Sequence, residues 1–463
     1  MTQPIKAILI GAGQRGMDAY ASYALQHPAE INFIAVAEPD PERRARFANK
    51  HNISPDNQYE SWEPLLEKDR LGEAALVCTQ DQMHTGPTLA ALNAGYDVLL
   101  EKPMAPTLGE CRLLVKTAED NGRQLHICHV LRYTEHFQKM KAVIDSGILG
   151  DIINVSHREN VAWWHMAHSF VRGHWGNQAL SSPMILAKCC HDLDILGWLL
   201  DDRSETLSSV GNLIHYRPEN APVGAAKRCL DGCAVAGTCR YYAPFIYIDH
   251  IPLWRSIVDS GAGFEKWATK TYLRNPGLIK SLSKIIPDLK TLTDYRGWPS
   301  SAVTNDPTPA NLLAALKDGP YGRCVYHCDN DVVDHQVVSM QFEHGTSVTL
   351  TMHGHSHLEG RTTRIEGSNA TLKSEFLHGG SWIEVNEHRS DRCTRYITST
   401  TLRSGHGGGD YYLMAGFVRA LREKDGSNAL TTARNSLESH LMAFAAEDAR
   451  RGKKTVRMSD YRL

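Results

Sequence analysis

Neither sign of charge dominates this chain. Its 463 residues carry 50 Lys and Arg against 52 Asp and Glu, a formal net charge of −2. That balance leaves no basic footprint for nucleic acid. No apolar run is long enough to span a bilayer. The opening residues, Met1-Thr2-Gln3-Pro4, lack the basic-then-apolar pattern of a secretory signal, so the expected location is cytoplasmic, with no membrane partner. The 11 cysteines never fall in the CxxC spacing of a zinc knuckle. In such a protein they are expected to be reduced rather than disulfide-paired. The length predicts two or more domains with ample core.

What is present begins at once. Ile5-Lys6-Ala7-Ile8-Leu9-Ile10 reads as a strand buried on both faces. It runs into Gly11-Ala12-Gly13-Gln14-Arg15-Gly16. In a GxGxxG turn the first glycine permits the bend, the second lets a pyrophosphate approach, and the third lets helix and strand pack. The helix start that follows offers N–H groups and a positive dipole end to phosphate. A second apolar strand, Ile31 to Ala37, ends in Glu38, where an acid would bond the ribose hydroxyls of NAD. Arg43 and Arg44 suit a 2′-phosphate, but Glu38 would repel one, which favours NAD over NADP. Strand and helix keep alternating through Ala74–Thr79, Asp97–Leu100 and Gln124–His129, the mark of a βαβ domain over residues 1–130.

The assembly of this turn, Glu38, Cys78-Thr79 with His84, Glu101-Lys102-Pro103 and His191-Asp192-Leu193-Asp194 resembles the Gfo/Idh/MocA family. The likeness covers about residues 5–215 and 330–460. It implies an α/β Rossmann domain followed by an α+β domain with a large, mostly antiparallel open sheet. It also implies oxidation of a carbinol of a sugar, cyclitol or glycoside with a nicotinamide cofactor, in a homodimer or homotetramer. The cofactor contacts then include Gly11, Gly13, Gln14, Arg15, Gly16, Glu38, Thr79, His84, Glu101 and Lys102, and Lys102 is also catalytic.

The rest of the chain fits an α+β domain over residues 131–463. Asp151–Glu159 reads as a strand, Ser181–Leu200 as one helix, and Val337–Leu350 as a hairpin turning at Glu343-His344-Gly345-Thr346. Two late helices carry apolar stripes, Leu413, Phe417 and Leu421 on one, Leu437, Leu441 and Phe444 on the other. Residues 217–325 read as an insertion, a lid over the sheet or else a partner surface or padding. It holds a basic helix-like run, Leu278–Lys290, and the series Cys229-x3-Cys233-x5-Cys239. These cysteines are read as reduced thiols with no metal assigned, a structural zinc with Cys324, Cys328 or a histidine being the alternative.

Removing hydride from a C–H bond needs a base for the hydroxyl proton. Lys102, at a Rossmann strand end, can bond the reacting oxygen, and His191 is the expected proton acceptor. On a helix Lys188, His191 and Asp194 share one face, so Asp194 can orient the imidazole. Inositol and sugar dehydrogenases of the family often place an aspartate four residues before this histidine. Here that position is Ala187, and the adjacent Lys188 either replaces the acid, binds an anionic group or orients the sugar. The stretch Trp163 to Trp175 suggests a carbohydrate subsite with Trp164, His165 and His168, or else a packed aromatic loop. Arg172 suits a carboxylate or sulfonate. His353, His355 and His357 alternate as polar sheet-face residues, and His406 precedes Asp410 at a helix start as a further substrate contact. The leading expectation is an NAD-dependent oxidoreductase. The alternatives are a glycosidase that recycles tightly held NAD, and a non-catalytic NAD sensor.

Overall fold

The computed structural model describes residues 3–261, 263–377, 379–398, 406–423 and 429–462. Six strands form a first sheet: β1 (Ile5–Ile10), β2 (Ile31–Ala37), β3 (Gln58–Tyr59), β4 (Ala74–Val77), β5 (Asp97–Leu100) and β6 (Leu125–Ile127). Their order is β3-β2-β1-β4-β5-β6, and every pairing is parallel. This is the doubly wound order, whose crevice opens at the strand ends between β1 and β4. The unbroken apolar character of β1 has a direct cause. Ala7 and Leu9 face one core with Leu413 and Phe417, while Ile8 and Ile10 face the other with Leu92 and Leu114. The late helix Gly409–Glu423 therefore returns to cover the first sheet.

Nine strands form the second sheet: β7 (Ile152–Ala162), β8 (Ser204–Asn212), β9 (His335–Phe342), β10 (Ser347–Ser356), β11 (Gly360–Gly367), β12 (Ala370–Leu377), β13 (Ser381–Glu387), β14 (Cys393–Thr398) and β15 (Val456–Arg457). They run in the order β14-β13-β12-β11-β7-β10-β9-β8-β15. The pairing of β7 with β10 is parallel, and the other ladders are antiparallel. The expected hairpin is present, with β9 and β10 closing at Gln341 opposite Ser347. One face of the sheet packs on the helices Cys190–Leu200 and Ala433–Gly452, with Leu193, Leu196, Met442 and Ala446 buried against Val338 and Leu350.

Two helix expectations are corrected. Ser181–Leu200 is not one helix but Met184–Ala187 and Cys190–Leu200, with Lys188 and Cys189 between them. The break swings Lys188 toward buried carboxylates on the sheet, so Lys188, His191 and Asp194 no longer share a face. The basic run divides into Pro276–Leu282 and a short turn Pro287–Leu289. Pro287 has no N–H to continue a helix. Residues 217–325 hold short helices, including Ala243–Tyr247, Ile251–Ser260 and Pro309–Asp318. They pack on the segment after β7, where Trp164 joins Tyr247 and Leu316 in a small core.

Candidate active site

The crevice at the C-terminal ends of β1 and β4 is shaped by glycine. Gly11 has φ of +93°, and a Cβ there would meet the Cys78 carbonyl at 2.6 Å. A Cβ on Gly16 would meet the Gly11 carbonyl at 2.2 Å, whereas one on Gly13 would meet nothing within 4 Å. The turn is tight at its ends and open at its centre, which is the room a pyrophosphate needs. Gln14 is exposed beside it. Glu38 is buried at the end of β2 and accepts hydrogen bonds from the N–H groups of Ala12 at 2.8 Å and Asp40 at 3.0 Å. Arg43 pairs with the same carboxylate at 2.7 Å, and Arg44 donates to the Glu38 carbonyl at 2.6 Å.

Beyond β5 the chain places Glu101 and Lys102. Glu101 accepts from Tyr20 at 2.7 Å and pairs with Arg15, which also pairs with the buried Asp410 at 2.8 Å. Burial disfavours ionisation of Glu101, but Arg15 and Lys102 outweigh it and hold its carboxyl below the ordinary value. Arg15, expected at the cofactor, is thus tied into this network. His84 is buried, with Nδ1 at 2.7 Å from the Pro103 carbonyl and Nε2 at 3.2 Å from that of Thr79, whose hydroxyl donates to Met83. These contacts lock the loops around Lys102.

The Lys102 ammonium reaches out of the Rossmann domain and donates to the Ala187 carbonyl at 2.8 Å. That carbonyl closes the helix Met184–Ala187, and His191 sits in the first turn of the next helix, buried, its ring edge-on to His129 at 5.5 Å. One residue from each domain is thereby brought to the same place. Burial first disfavours the protonated forms of His129, His165 and His174; Arg132 and then Lys102 add to it at His129, Lys188 and then Lys102 at His165 against Glu359, and Lys102 at His174 against Asp81.

A buried charge network lies beneath, on the β7 and β11 side. Lys188 pairs with Glu359 at 2.9 Å and Glu159 at 3.3 Å. Glu359 also pairs with His165 at 3.0 Å and accepts from the Ala162 N–H. Arg361 bridges Glu159 at 2.6 Å and Asp192 at 2.7 Å, and Asp192 meets His157 at 3.0 Å. Burial pulls the Lys188 ammonium down, but Glu359 and Glu159 outweigh it and raise it. Burial pushes the Glu159 carboxyl up to about 7 against Arg361 and Lys188. The acid absent at Ala187 is therefore replaced in space by carboxylates from the sheet. Sequence reading missed Glu159, Asp192 and Arg361. For Glu159 and Arg361, opposite one another on β7 and β11, the only sequence signal is a charged residue on a strand, and register decides which face is inward; Asp192 stands next to His191 on the helix.

Four expected substrate contacts are corrected. Asp194 is held by Arg132 through two bonds of 2.7 Å, which takes both its oxygens away from the role of orienting His191. Trp164 is buried against Trp298, so its face is not offered to a sugar. His168 is buried, stacked on Tyr321 and bonded to Tyr247. Arg172 is buried and donates to the carbonyls of Arg323 and Tyr241. His165 pairs with Glu359 and lies within electrostatic reach of Lys188 and Lys102. His406 opens a short turn, and its side chain lies outside the described residues. His353, His355 and His357 diverge, meeting Asn160, Asp334 and Asp259 respectively.

A doubly wound sheet with a glycine cradle and an acid after β2 defines a dinucleotide-binding domain. Residues 5–129 match the GFO_IDH_MocA model, described as an oxidoreductase family with an NAD-binding Rossmann fold. This domain is thus similar to the NAD-binding domain of that family, and over less than half of its length the chain is similar to inositol dehydrogenases. It is 27% identical over 204 residues to inositol 2-dehydrogenase of Salmonella paratyphi B, covering 44% of this chain and 56% of that one. Against inositol 2-dehydrogenase of Pseudomonas syringae pv. syringae it is 34% identical over 201 residues, 43% of this chain and 55% of the relative. The chain thus spans about half the length of the curated relatives it matches. A solved levoglucosan dehydrogenase in complex with NADH shares the fold across 98% of this chain and 99% of its own, with TM-score 0.65 and 15% identity. Among the described residues no helix is long and apolar enough to cross a membrane.

Proposed function

We propose that this chain is an NAD-dependent oxidoreductase acting on a carbinol of a sugar, cyclitol or glycoside. The observation that carries the reading is the reach of Lys102 from the end of β5 to the Ala187 carbonyl, one turn before His191. NAD, when bound, supplies the hydride acceptor. Glu38 would hold the adenosine ribose, and Arg43, already committed to Glu38, favours two hydroxyls there over a 2′-phosphate. Lys102 bonds the reacting oxygen and lowers its proton affinity, and His191 takes the proton. His165, Lys188 and Glu359 line the substrate side. The inositol 2-dehydrogenases and the levoglucosan dehydrogenase among the relatives support a polyhydroxylated substrate.

A second reading has its own support. His165 paired to Glu359, beside a Glu159 carboxyl pushed up to about 7, is an acid/base set beyond what simple oxidation needs. Such a set suits glycoside cleavage by oxidation, elimination, hydration and reduction. One assay separates the two. Sugars, inositols and aryl glycosides are offered with NAD, and NADH absorbance and aglycone release are recorded together, for the wild type and Lys102→Met. Net oxidation gives NADH in step with product, and Lys102→Met lowers turnover by about 10²–10⁴-fold with NAD still bound. Aglycone release that requires NAD but accumulates no NADH overturns the first reading in favour of the second. Unchanged turnover in Lys102→Met removes Lys102 from either mechanism.

A further inference from the structure

The insertion sends one segment, Trp298–Asn305, back to the first domain. At one end of it the Trp298 ring lies edge-on to His165 at 4.9 Å and packs on Trp164 at 5.2 Å. His165 pairs with Glu359, and the Lys102 charge acts on it, so this end belongs to the chemical half of the crevice. At the other end the Asn305 amide donates to the Asp40 carboxylate at 3.0 Å and to that of Glu42 at 3.4 Å. Asp40 caps the helix Pro41–His51, and its own N–H donates to the Glu38 carboxylate. The segment thereby ties the insertion to the loop beside Glu38, at the adenosine half.

The stretch between these ends is anchored in the insertion. Ser300 is buried, and its hydroxyl donates to the Tyr247 carbonyl at 2.8 Å and lies 2.6 Å from His250 Nε2. Val303 packs with Trp298 on the small core of Trp164, Tyr247 and Leu316. Just beyond Asn305, Asp306 pairs with Arg296 at 3.1 Å and accepts from Asn311 at 3.0 Å, which draws the two sides of the loop together. The contact of Asn305 with Asp40 and Glu42 is of another kind. It is exposed, and it sets one neutral amide against two carboxylates, so it parts more readily than the buried anchors.

We propose that Trp298–Asn305 is a strap across the dinucleotide crevice, latched by Asn305 on Asp40 and Glu42, and that its opening sets how fast NAD enters and leaves. The strap rests on the dinucleotide-binding part of the function proposed above and does not depend on the substrate. A latch on a passage raises the barrier in both directions, so loosening it speeds entry and release alike and leaves the equilibrium affinity nearly unchanged. Charge gives the latch a sign. Asp40 and Glu42 attract an N–H donor at position 305, would draw in an ammonium and would repel a carboxylate.

The test uses the full chain, freed of nucleotide, with NADH fluorescence as the probe. Entry is read on mixing the chain with NADH, and release on displacing bound NADH with excess NAD, for the wild type and for Asn305→Ala, Asn305→Asp and Asn305→Lys. Asn305 is exposed, so all three variants are expected to keep the wild-type denaturation midpoint. Asn305→Ala is expected to speed entry and release alike by about 2–10-fold, the rate equivalent of one hydrogen bond. Asn305→Asp adds repulsion and speeds both further, whereas Asn305→Lys slows both. NADH binding with the same rates in all three variants overturns the strap and leaves the dinucleotide reading standing. Faster release with unchanged entry also overturns it, because Asn305 then acts on affinity and not on passage. Wild type that binds no NADH overturns the dinucleotide reading and the strap together.

Discussion

Arg361 and Arg172 are both buried guanidiniums, and they mark two regions built by opposite means. Arg361 sits between Glu159 and Asp192, with Lys188, Glu359 and His165 one contact further out. Arg172 lies among four thiols and backbone carbonyls. In the first region charge is balanced by the chain's own carboxylates. In the second, among the described residues, the guanidinium meets only carbonyl oxygens, an aromatic ring and a thiol. The region beneath the candidate active site thus sets charge against charge, whereas the cysteine region sets its cation against neutral acceptors.

Substitutions at the two arginines test this contrast most strongly. Arg361→Met strands two buried carboxylates and is expected to cost about 3–5 kcal/mol in chemical denaturation. Arg172→Met strands two carbonyls but no carboxylate, so its expected cost is smaller, about 1–3 kcal/mol. Equal losses would erase the distinction between the regions.

Glu159 sharpens the comparison through pH. Burial moves its carboxyl from the ordinary 4.5 to about 7, against Arg361 and Lys188. The folded protein then keeps a proton that the unfolded chain releases. This group's contribution is full below the unfolded value and is lost as pH rises from there through 7. Glu159→Gln is expected to flatten that decline, read as denaturation midpoints across pH 4 to 8. An unchanged slope would show that the proton resides elsewhere in the network. The smallest effect belongs to an ion pair outside both regions. Arg434 and Glu119 meet at 2.6 Å with side chains 63% and 49% exposed. Arg434→Ala is expected to shift stability by no more than about 1 kcal/mol, because solvent screens the pair.

Much of the first domain was legible from the chain alone. A two-sided apolar strand, a GxGxxG turn and an acid after the next strand are local patterns, and local sterics impose their geometry wherever they occur. Glu101-Lys102 after β5 was legible for the same reason. The hairpin at Glu343–Thr346 and the two late helical stripes were also readable, although not that one of those helices would return to cover the first sheet.

What only tertiary structure decided is which polar groups meet. Local periodicity joined Lys188, His191 and Asp194 on one helix face. The fold broke that helix, because Lys188 gains buried carboxylates on β7 and beyond β10, and Arg132 claims Asp194. The Trp163–Trp175 stretch has the composition of a sugar subsite, yet the insertion buries Trp164, His168 and Arg172. Cys324 joins Cys229 only through a bridge formed across the whole insertion. A strand's inward face, the partner of a buried charge and the fourth member of a thiol set depend on register and long-range packing. Those contacts are fixed by the cost of leaving charge unpaired in the interior, a quantity that exists only once the interior has formed.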